Sequence, residues 1–354
     1  MGGPGPRLSA GAGREVALAV RSALRDLPAG PVLVGLSGGP DSCALLAGAL
    51  DVANGLSRRV GAVVVDHGWH PRTADVAARA ARAALSLGAG PVRVVRVVPS
   101  RPGGGAGAGG PEEAARTARY AALLGAAARD EAAAVLLGHT LDDQAEQVLL
   151  GLARGSGTRS LAGMPAVRGR VVRPLLGVRR ATTAAACEAL RHVLAPLGLP
   201  WTDPANTDPA HLRADVRARA LPVLEDVLGA GAVTGLARSA DLARADADAL
   251  DAWAGEVAAG LPPLLEGTPV DGLTDLPPAV RRRVLRLLAA AAGAGGLTAA
   301  HTAALDALVA AWRGQGQVAL PGGVGVRRVS GHDGCGRLRA TPTPSPGEDP
   351  HGRA

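Results

Sequence analysis

Pro31-Val32-Leu33-Val34-Gly35-Leu36-Ser37-Gly38-Gly39-Pro40-Asp41-Ser42 is the stretch on which the fold turns. Its first half is a short apolar run bounded by turn residues, which reads as a buried strand. Its second half is a glycine-rich turn that opens a helix expected to reach Leu50. Two glycines permit close backbone approach and unusual dihedrals. N–H groups at the start of the helix can hold an anionic oxygen, and Ser37 and Ser42 add hydroxyl donors. The Gly-Lys-Ser/Thr ending of the common nucleotide phosphate loop is missing, and the chain has no lysine with which to supply it. Two glycines alone would read as an ordinary turn; the complete hexamer after an apolar strand is far more specific.

Outward from this stretch, strands and helices alternate. A helix is expected over residues 14–26, strands over 60–66, 92–98 and 134–138, and helices over 74–87, 111–129 and 142–152, with Val171 and Val172 in a fifth strand. Pro111 suits a first helical turn. Residues 100–110, nearly all Gly, Pro and Ala, read as a flexible loop. The alternation predicts an α/β class: a Rossmann-like parallel sheet with helices on both faces. Strand-end loops of such a sheet bind ligands. After Trp201-Thr202-Asp203-Pro204 the pattern becomes helical, through Leu221, Leu236, Leu250 and Leu285. Residues 317–329 read as a hairpin with a Pro-Gly-Gly turn. The expected organisation is a disordered N-terminus (1–11), an α/β catalytic domain (12–211), a smaller helical domain with a terminal hairpin (212–330) and a disordered tail (331–354).

Composition narrows the class. The 354 residues are 47% hydrophobic and 19% charged, which suits a globular chain with a sizeable core. There is no Ile or Phe and one Tyr, so Leu, Val and Ala must build that core. All 38 basic residues are Arg, a pattern that a GC-rich genome explains, and guanidinium groups suit phosphate. The net charge of +7 permits a polyanionic partner without demanding one. Cys43, Cys187 and Cys335 are far apart, which argues against a disulfide framework or a zinc or iron–sulfur site. No leader and no run long enough to span a membrane is read, so a cytoplasmic location is expected.

Four further segments carry candidate chemistry. Asp66 and His67 end the second strand beside the glycine-rich turn; His67 is either a nucleotide or substrate contact or a polar strand-end histidine. Glu112 and Arg116 are four residues apart, and Arg116 and Arg119 three apart, giving either a double guanidinium face or a solvated stripe. His139 follows the fourth strand. Asp142 and Asp143 open the next helix, where the dipole favours carboxylates. Spacing puts Glu146 on their face, so the three form either a Mg²⁺ site beside phosphates or a site with one general base, with Asp142 also capping the helix.

Together with Gly151-Leu152-Ala153-Arg154-Gly155-Ser156-Gly157-Thr158, Arg173-Pro174-Leu175-Leu176 and Trp201-Thr202-Asp203-Pro204-Ala205-Asn206, these segments resemble the bacterial tRNA(Ile)-lysidine synthetases, within the PP-loop ATP pyrophosphatases, over roughly residues 30–228. The resemblance implies ATP-dependent ligation of free L-lysine to the wobble cytidine of a tRNA(Ile) with a CAU anticodon, through an adenylated tRNA, with a homodimer plausible. It implies Ser37, Gly38, Gly39, Pro40, Asp41, Ser42, Asp66, His67 and His139 as nucleotide contacts and Asp41 and Asp143 as ligands of Mg²⁺. It implies Arg116 for transition-state charge and Glu146 for the lysine amine, with Asp41, Arg116, Asp143 and Glu146 forming the catalytic set. Arg213 and Arg217 match basic positions of that pattern, whereas Asp215 stands where a basic residue is usual and Arg219 is read on a different helical face. In the second domain, Arg281, Arg282, Arg283 and Arg286 either grip tRNA phosphates or form a solvated face. The alternatives are a thiolase or amide-forming synthetase with the same loop, against which the isolated cysteines and the lack of a glutaminase domain argue, and a non-catalytic tRNA-binding relative.

Overall fold

Alternation along three neighbouring strands sets the first layer. The computed structural model describes residues 8, 11–68, 72–97, 111–155, 157–202, 212–331 and 334–342. In order, the elements to residue 200 are α1 (Gly11–Arg25), β1 (Val32–Gly35), α2 (Pro40–Ala53), β2 (Val60–Asp66), α3 (Thr73–Ser86), β3 (Val92–Arg96), α4 (Pro111–Arg129), β4 (Ala134–Leu136), α5 (Leu141–Ala153), α6 (Thr158–Leu161), β5 (Val167–Arg168), β6 (Val171–Val172), α7 (Arg180–Glu188) and α8 (Arg191–Leu194). The sheet order is β3-β2-β1-β4-β6-β5, all pairs parallel except the edge pair β5–β6. Leu33, Val63 and Val135 face α4, where Leu123, Ala126 and Ala127 cover them. Val34, Ala62 and Leu136 face the other way, onto α1, α2, α3 and α7. Both faces are therefore covered, as a parallel sheet requires. Leu24, Leu33, Leu45, Leu46 and Leu136 are among the largest fully buried side chains, the expected answer of a chain without Phe or Ile.

The chain divides into two compact units, residues 1–244 and 245–354. The boundary thus falls beyond the expected 211/212, because α9 (Leu212–Asp215), a π-helical turn (Val216–Ala220), α10 (Leu221–Leu228) and the first part of α11 (Ala232–Ala259) complete the first unit. Val233 and Ala237 pack there with Leu141, Ala145 and Leu221.

The second unit joins the expected helices and hairpin with two further strands. β7 (Thr268–Pro269), α12 (Asp271–Thr274), α13 (Pro278–Ala291) and α14 (Ala299–Ala310) precede β8 (Val318–Leu320), β9 (Val324–Ser330) and β10 (Gly336–Pro342). These strands form an antiparallel sheet in the order β7-β10-β9-β8. The hairpin and its Pro321-Gly322-Gly323 turn are where sequence placed them, but β10 lies inside the stretch read as a disordered tail. Leu338 and Ala340 are buried against α13 and α14 residues, and that burial anchors the strand. Residues 343–354 and most of 1–10 lie outside the described residues; Leu8 is described and is buried in the core of the first unit. Among the described residues no single helix is long and apolar enough to cross a membrane.

Candidate active site

Strand order places the site. β2 and β3 lie on one side of β1 and β4 on the other, so the loops after β1 and β4 flank the point where the winding reverses. Gly38 has φ +83°, a conformation that only glycine adopts without strain. The Ser42 hydroxyl accepts from the Ser37 N–H (3.2 Å), donates to the Gly39 carbonyl (3.0 Å) and lies 3.1 Å from the Ser37 hydroxyl. These bonds curl residues 37–42 over the first turn of α2, whose leading N–H groups have no intrahelical acceptor. At Gly138 a Cβ would stand 3.1 Å from the backbone of Asp41, so glycine lets the end of β4 abut the loop.

The acidic groups of α5 separate. Asp143 closes a capping box: its Oδ2 accepts from the Thr140 N–H (2.7 Å) and hydroxyl (2.9 Å), leaving Oδ1 to Arg180 (2.8 Å) and Arg217 (3.2 Å). Glu146 is fully buried, and its two oxygens accept from Arg180 (3.1 Å), Arg213 (3.1 Å) and Arg217 (2.7 and 3.0 Å). Asp142, expected as the cap of α5, does not cap it and takes partners of its own. It accepts from the Arg180 N–H (2.7 Å), capping α7, and from the Arg179 guanidinium. Residues 142 and 143 lie about 100° apart on a helix, and that turn sends them to different partners. Asp41 takes the vacated place: its carboxylate accepts from the Thr183 hydroxyl and stands 3.8 Å from Arg180 Nε.

Electrostatics follow from this crowding. Burial, the largest influence, raises the Asp41 carboxyl above its ordinary value against the Thr183 hydrogen bond and the Arg180 charge. For Asp143 burial also pushes upward, but Arg180 and the Thr140 hydrogen bonds outweigh it, and its pKa falls below the usual carboxylate value.

A second wall comes from α4 and β6. Arg116 reaches the Tyr120 hydroxyl (3.4 Å) with its guanidinium 5.1 Å from the ring centre, and Arg119 lies 5.8 Å from the same ring. The hydroxyl also accepts from buried Arg173 (3.1 Å). His139 sits among Asp143, Arg173, Arg119 and Arg213; burial, with the arginine charges adding to it, lowers its pKa to about 3 and keeps it neutral. Six guanidiniums (Arg116, Arg119, Arg173, Arg180, Arg213 and Arg217) thus face three carboxylates, an excess of three positive charges. Three buried nitrogens, His139 Nδ1, Arg173 Nε and Arg180 Nε, have no hydrogen-bond partner among the described residues. An arginine-rich pocket with unsatisfied donors beside a glycine turn fits a polyphosphate. For Mg²⁺, no three ligating groups converge among the described residues. Asp41 and Asp143, with Arg180 bound to one and beside the other, fit an ion that takes one or two carboxylates and draws its other ligands from phosphate and water.

The fold therefore brings together the 37–42 loop, His139, Asp143 and Glu146, with Arg116 on the adjoining wall. Asp66 is buried at the end of β2, where it accepts from the Gly68 N–H (3.1 Å), and His67 beside it is half-buried. The Glu112 side chain and residues 203–211 lie outside the described residues. Asp215 pairs with Arg219 (3.1 Å), which is four residues on and so on the same helical face, contrary to expectation. Sequence reading missed Arg180 and Thr183. One signal was available: Arg179-Arg180 opens a helix, where the dipole disfavours cations unless acids hold them.

Comparison with known proteins places this geometry. A family model described as a PP-loop domain matches residues 14–224, and one described as a TilS substrate binding domain matches residues 269–332. The tRNA(Ile)-lysidine synthase of Thermobifida fusca is 51% identical over 340 residues, covering 94% of this chain and 98% of that protein. That of Salinispora arenicola is 51% identical over 322 residues, covering 88% and 93%. That of Mycobacterium tuberculosis is 47% identical, covering 87% and 91%. With a PP-loop domain over more than half its length and relatives of this identity along nearly all of it, the chain belongs to the tRNA(Ile)-lysidine synthase family.

Proposed function

We propose that this chain ligates free L-lysine to the wobble cytidine of a tRNA(Ile) with a CAU anticodon, at the expense of ATP, in the cytoplasm. The observation that carries the reading is the 37–42 loop set against a pocket with a three-charge excess of guanidinium. In the first step the cytidine C2 oxygen attacks the α-phosphorus and pyrophosphate departs. In the second the lysine ε-nitrogen attacks C2, the C2–O bond breaks, AMP leaves and the amine gives up a proton. A cytosine oxygen is a poor leaving group and AMP a good one, so two displacements replace one with a higher barrier.

Residues 37–42 hold the departing pyrophosphate by backbone N–H groups and the Ser37 hydroxyl, which the Ser42 hydroxyl positions. Arg116, Arg173 and Arg180 face charge developing on the phosphates. Mg²⁺, when bound at Asp41 and Asp143, supplies charge neutralisation of the triphosphate. Glu146 serves best as the anchor of Arg180, Arg213 and Arg217, because both of its oxygens are taken by these guanidiniums and its side chain is fully buried. A direct role with the lysine amine requires those arginines to move first.

The test is mass analysis of nucleosides after incubation with ATP, lysine and unmodified tRNA(Ile) transcript. Lysidine and tRNA-dependent AMP and pyrophosphate are expected; no AMP release in the presence of tRNA would refute the ligase reading. Light scattering tests the homodimer.

A further inference from the structure

The arginine face of α13 that sequence offers for phosphate is occupied within the chain. Arg281 is buried and bound to Asp306 (2.6 Å), Arg282 to the other oxygen of Asp306 (2.9 Å) and Arg283 to Asp251 (2.6 Å). Arg286 donates to the Leu297 carbonyl (2.9 Å) and the Thr302 hydroxyl (2.8 Å). These four hold the second unit together and offer little to a ligand.

The outer face of the four-stranded sheet is built differently. Along β9 and β10, Val324, Val326, Leu338 and Ala340 point into the core. The alternate positions point outward and carry Gly325, Arg327 and Val329 on β9 and Arg337, Arg339 and Thr341 on β10, with no acid among them. Arg327 and Arg339 are direct cross-strand partners, both exposed, and neither has a hydrogen-bond or acidic partner among the described residues. Like charges directly opposite in a sheet are destabilising, so folding alone gives no reason to place two guanidiniums there. Beside them the Gln317 side chain lies over Gly325, where a Cβ would collide with its amide nitrogen, and its carbonyl accepts from the Thr341 hydroxyl (3.3 Å). Glycine at 325 is what leaves room for this amide to lie flat along the sheet, extending the row of donors.

We propose that the outer face of β9–β10, centred on the Arg327–Arg339 pair, is a contact for the sugar–phosphate backbone of the tRNA substrate. This rests on the ligase reading above. Guanidiniums fork onto phosphate oxygens, and such contacts position an RNA without reading its sequence. The surface therefore supplies affinity shared by all tRNAs, and identity is read elsewhere.

The experiment uses the full chain, fluorescently labelled unmodified tRNA(Ile) and tRNA(Met) transcripts, and anisotropy titrations from 50 to 300 mM KCl. For R327Q/R339Q we expect affinity at low salt to fall roughly tenfold for both tRNAs, and the slope of log K against log salt to flatten by about 1–2, as the loss of two phosphate contacts dictates. Its melting temperature should equal or exceed that of the parent, because a repulsive pair is removed. R327K/R339K should retain most of the slope. R282Q/R283Q should lower the melting temperature and leave the slope unchanged. A folded R327Q/R339Q protein with the parental slope overturns the proposal, as does a slope that flattens in R282Q/R283Q instead. Absence of salt-dependent tRNA binding by the parent chain would strike the ligase reading itself, a different and distinguishable failure.

Discussion

Replacing Glu146 by Gln tests whether the arginine–carboxylate centre is a mutual anchor. The carboxylate is wholly buried and accepts four hydrogen bonds from three guanidiniums at 2.7–3.1 Å. Hydrogen bonds to charged groups contribute about 1.5–3 kcal/mol each, and breaking a buried ion pair by removing one partner costs about 3–5 kcal/mol. Two effects reduce that figure here. Arg180, Arg213 and Arg217 keep 23%, 34% and 30% of their side-chain surface exposed, so they regain water when released. The desolvation of a buried carboxylate also disappears. Gln brings one acceptor but turns an NH₂ group toward donors. The net expectation is a loss of about 2–3 kcal/mol, or roughly 5–10 °C in melting temperature for a unit of this size. Differential scanning calorimetry reads it. The released guanidiniums raise the positive excess of the pocket from three to four, so millimolar inorganic pyrophosphate should raise the melting temperature more in E146Q than in the parent. A variant that melts within a degree of the parent and responds equally to pyrophosphate would refute the idea that Glu146 holds these arginines.

Three other outcomes follow from the same geometry. Thr183→Val removes the hydroxyl that opposes burial at Asp41, so the Asp41 carboxyl should rise further and the acid limb of the pH–rate profile for pyrophosphate release should move to higher pH; an unmoved limb would show that Asp41 need not be ionised. His139 has a folded pKa near 3 against an ordinary 6.5, so it binds a proton more readily unfolded than folded, and its contribution to stability is present above pH 6.5 and lost as pH falls toward 3. Between pH 6.5 and 4.5 the parent should lose roughly 2–3 kcal/mol more than H139Q in urea titrations; parallel profiles would place the histidine in water. Cys43 and Cys187 are buried against one another, with the Cys43 thiol pushed well up by that contact and by burial, while Cys335 is half-exposed. One thiol per folded chain should therefore react rapidly with a disulfide reagent and three after denaturation; three fast thiols in the folded chain would contradict this packing.

What sequence made legible was local. Val32–Gly35 and the turn after it are a contiguous apolar run and a contiguous motif, and α4 ends at both limits where its proline start and periodicity put it. What it hid was partnership across distance. β10 is a stretch of Gly, Arg, Thr and Pro whose strand character comes from pairing with β9 and from two buried side chains. β7, only two residues long, exists because β10 is there to receive it. Arg180 and Thr183 sit in a helix of Ala and Thr with no motif. They reach Asp41 only because α7 packs on α2, a contact between residues more than 130 positions apart. Spacing placed Asp142, Asp143 and Glu146 on one face, and spacing could not say that Arg179 and Arg180, at the start of α7, would divide them.

The absence of lysine, which codon usage explains, has a chemical consequence for the proposed reaction. An adenylated cytidine is an electrophile toward any nearby primary amine. Every fixed side-chain cation around the pocket is a guanidinium, which stays protonated throughout the accessible pH range and has no free pair to offer. Its charge stabilises phosphate while its chemistry leaves the activated base alone. A lysine at Arg180 would keep the positive charge but lose the fork that lets one side chain reach Asp143 and Glu146 together, and it would put an ε-amine beside the proposed nucleotide pocket. With no lysine in the sequence, no side-chain ε-amine of this chain competes with the free amino acid in the proposed second step. Under the proposed reaction, selectivity at the second step reduces to how the free amino acid is admitted, and the arginines bound to buried Glu146 would have to yield for an amine to approach that carboxylate.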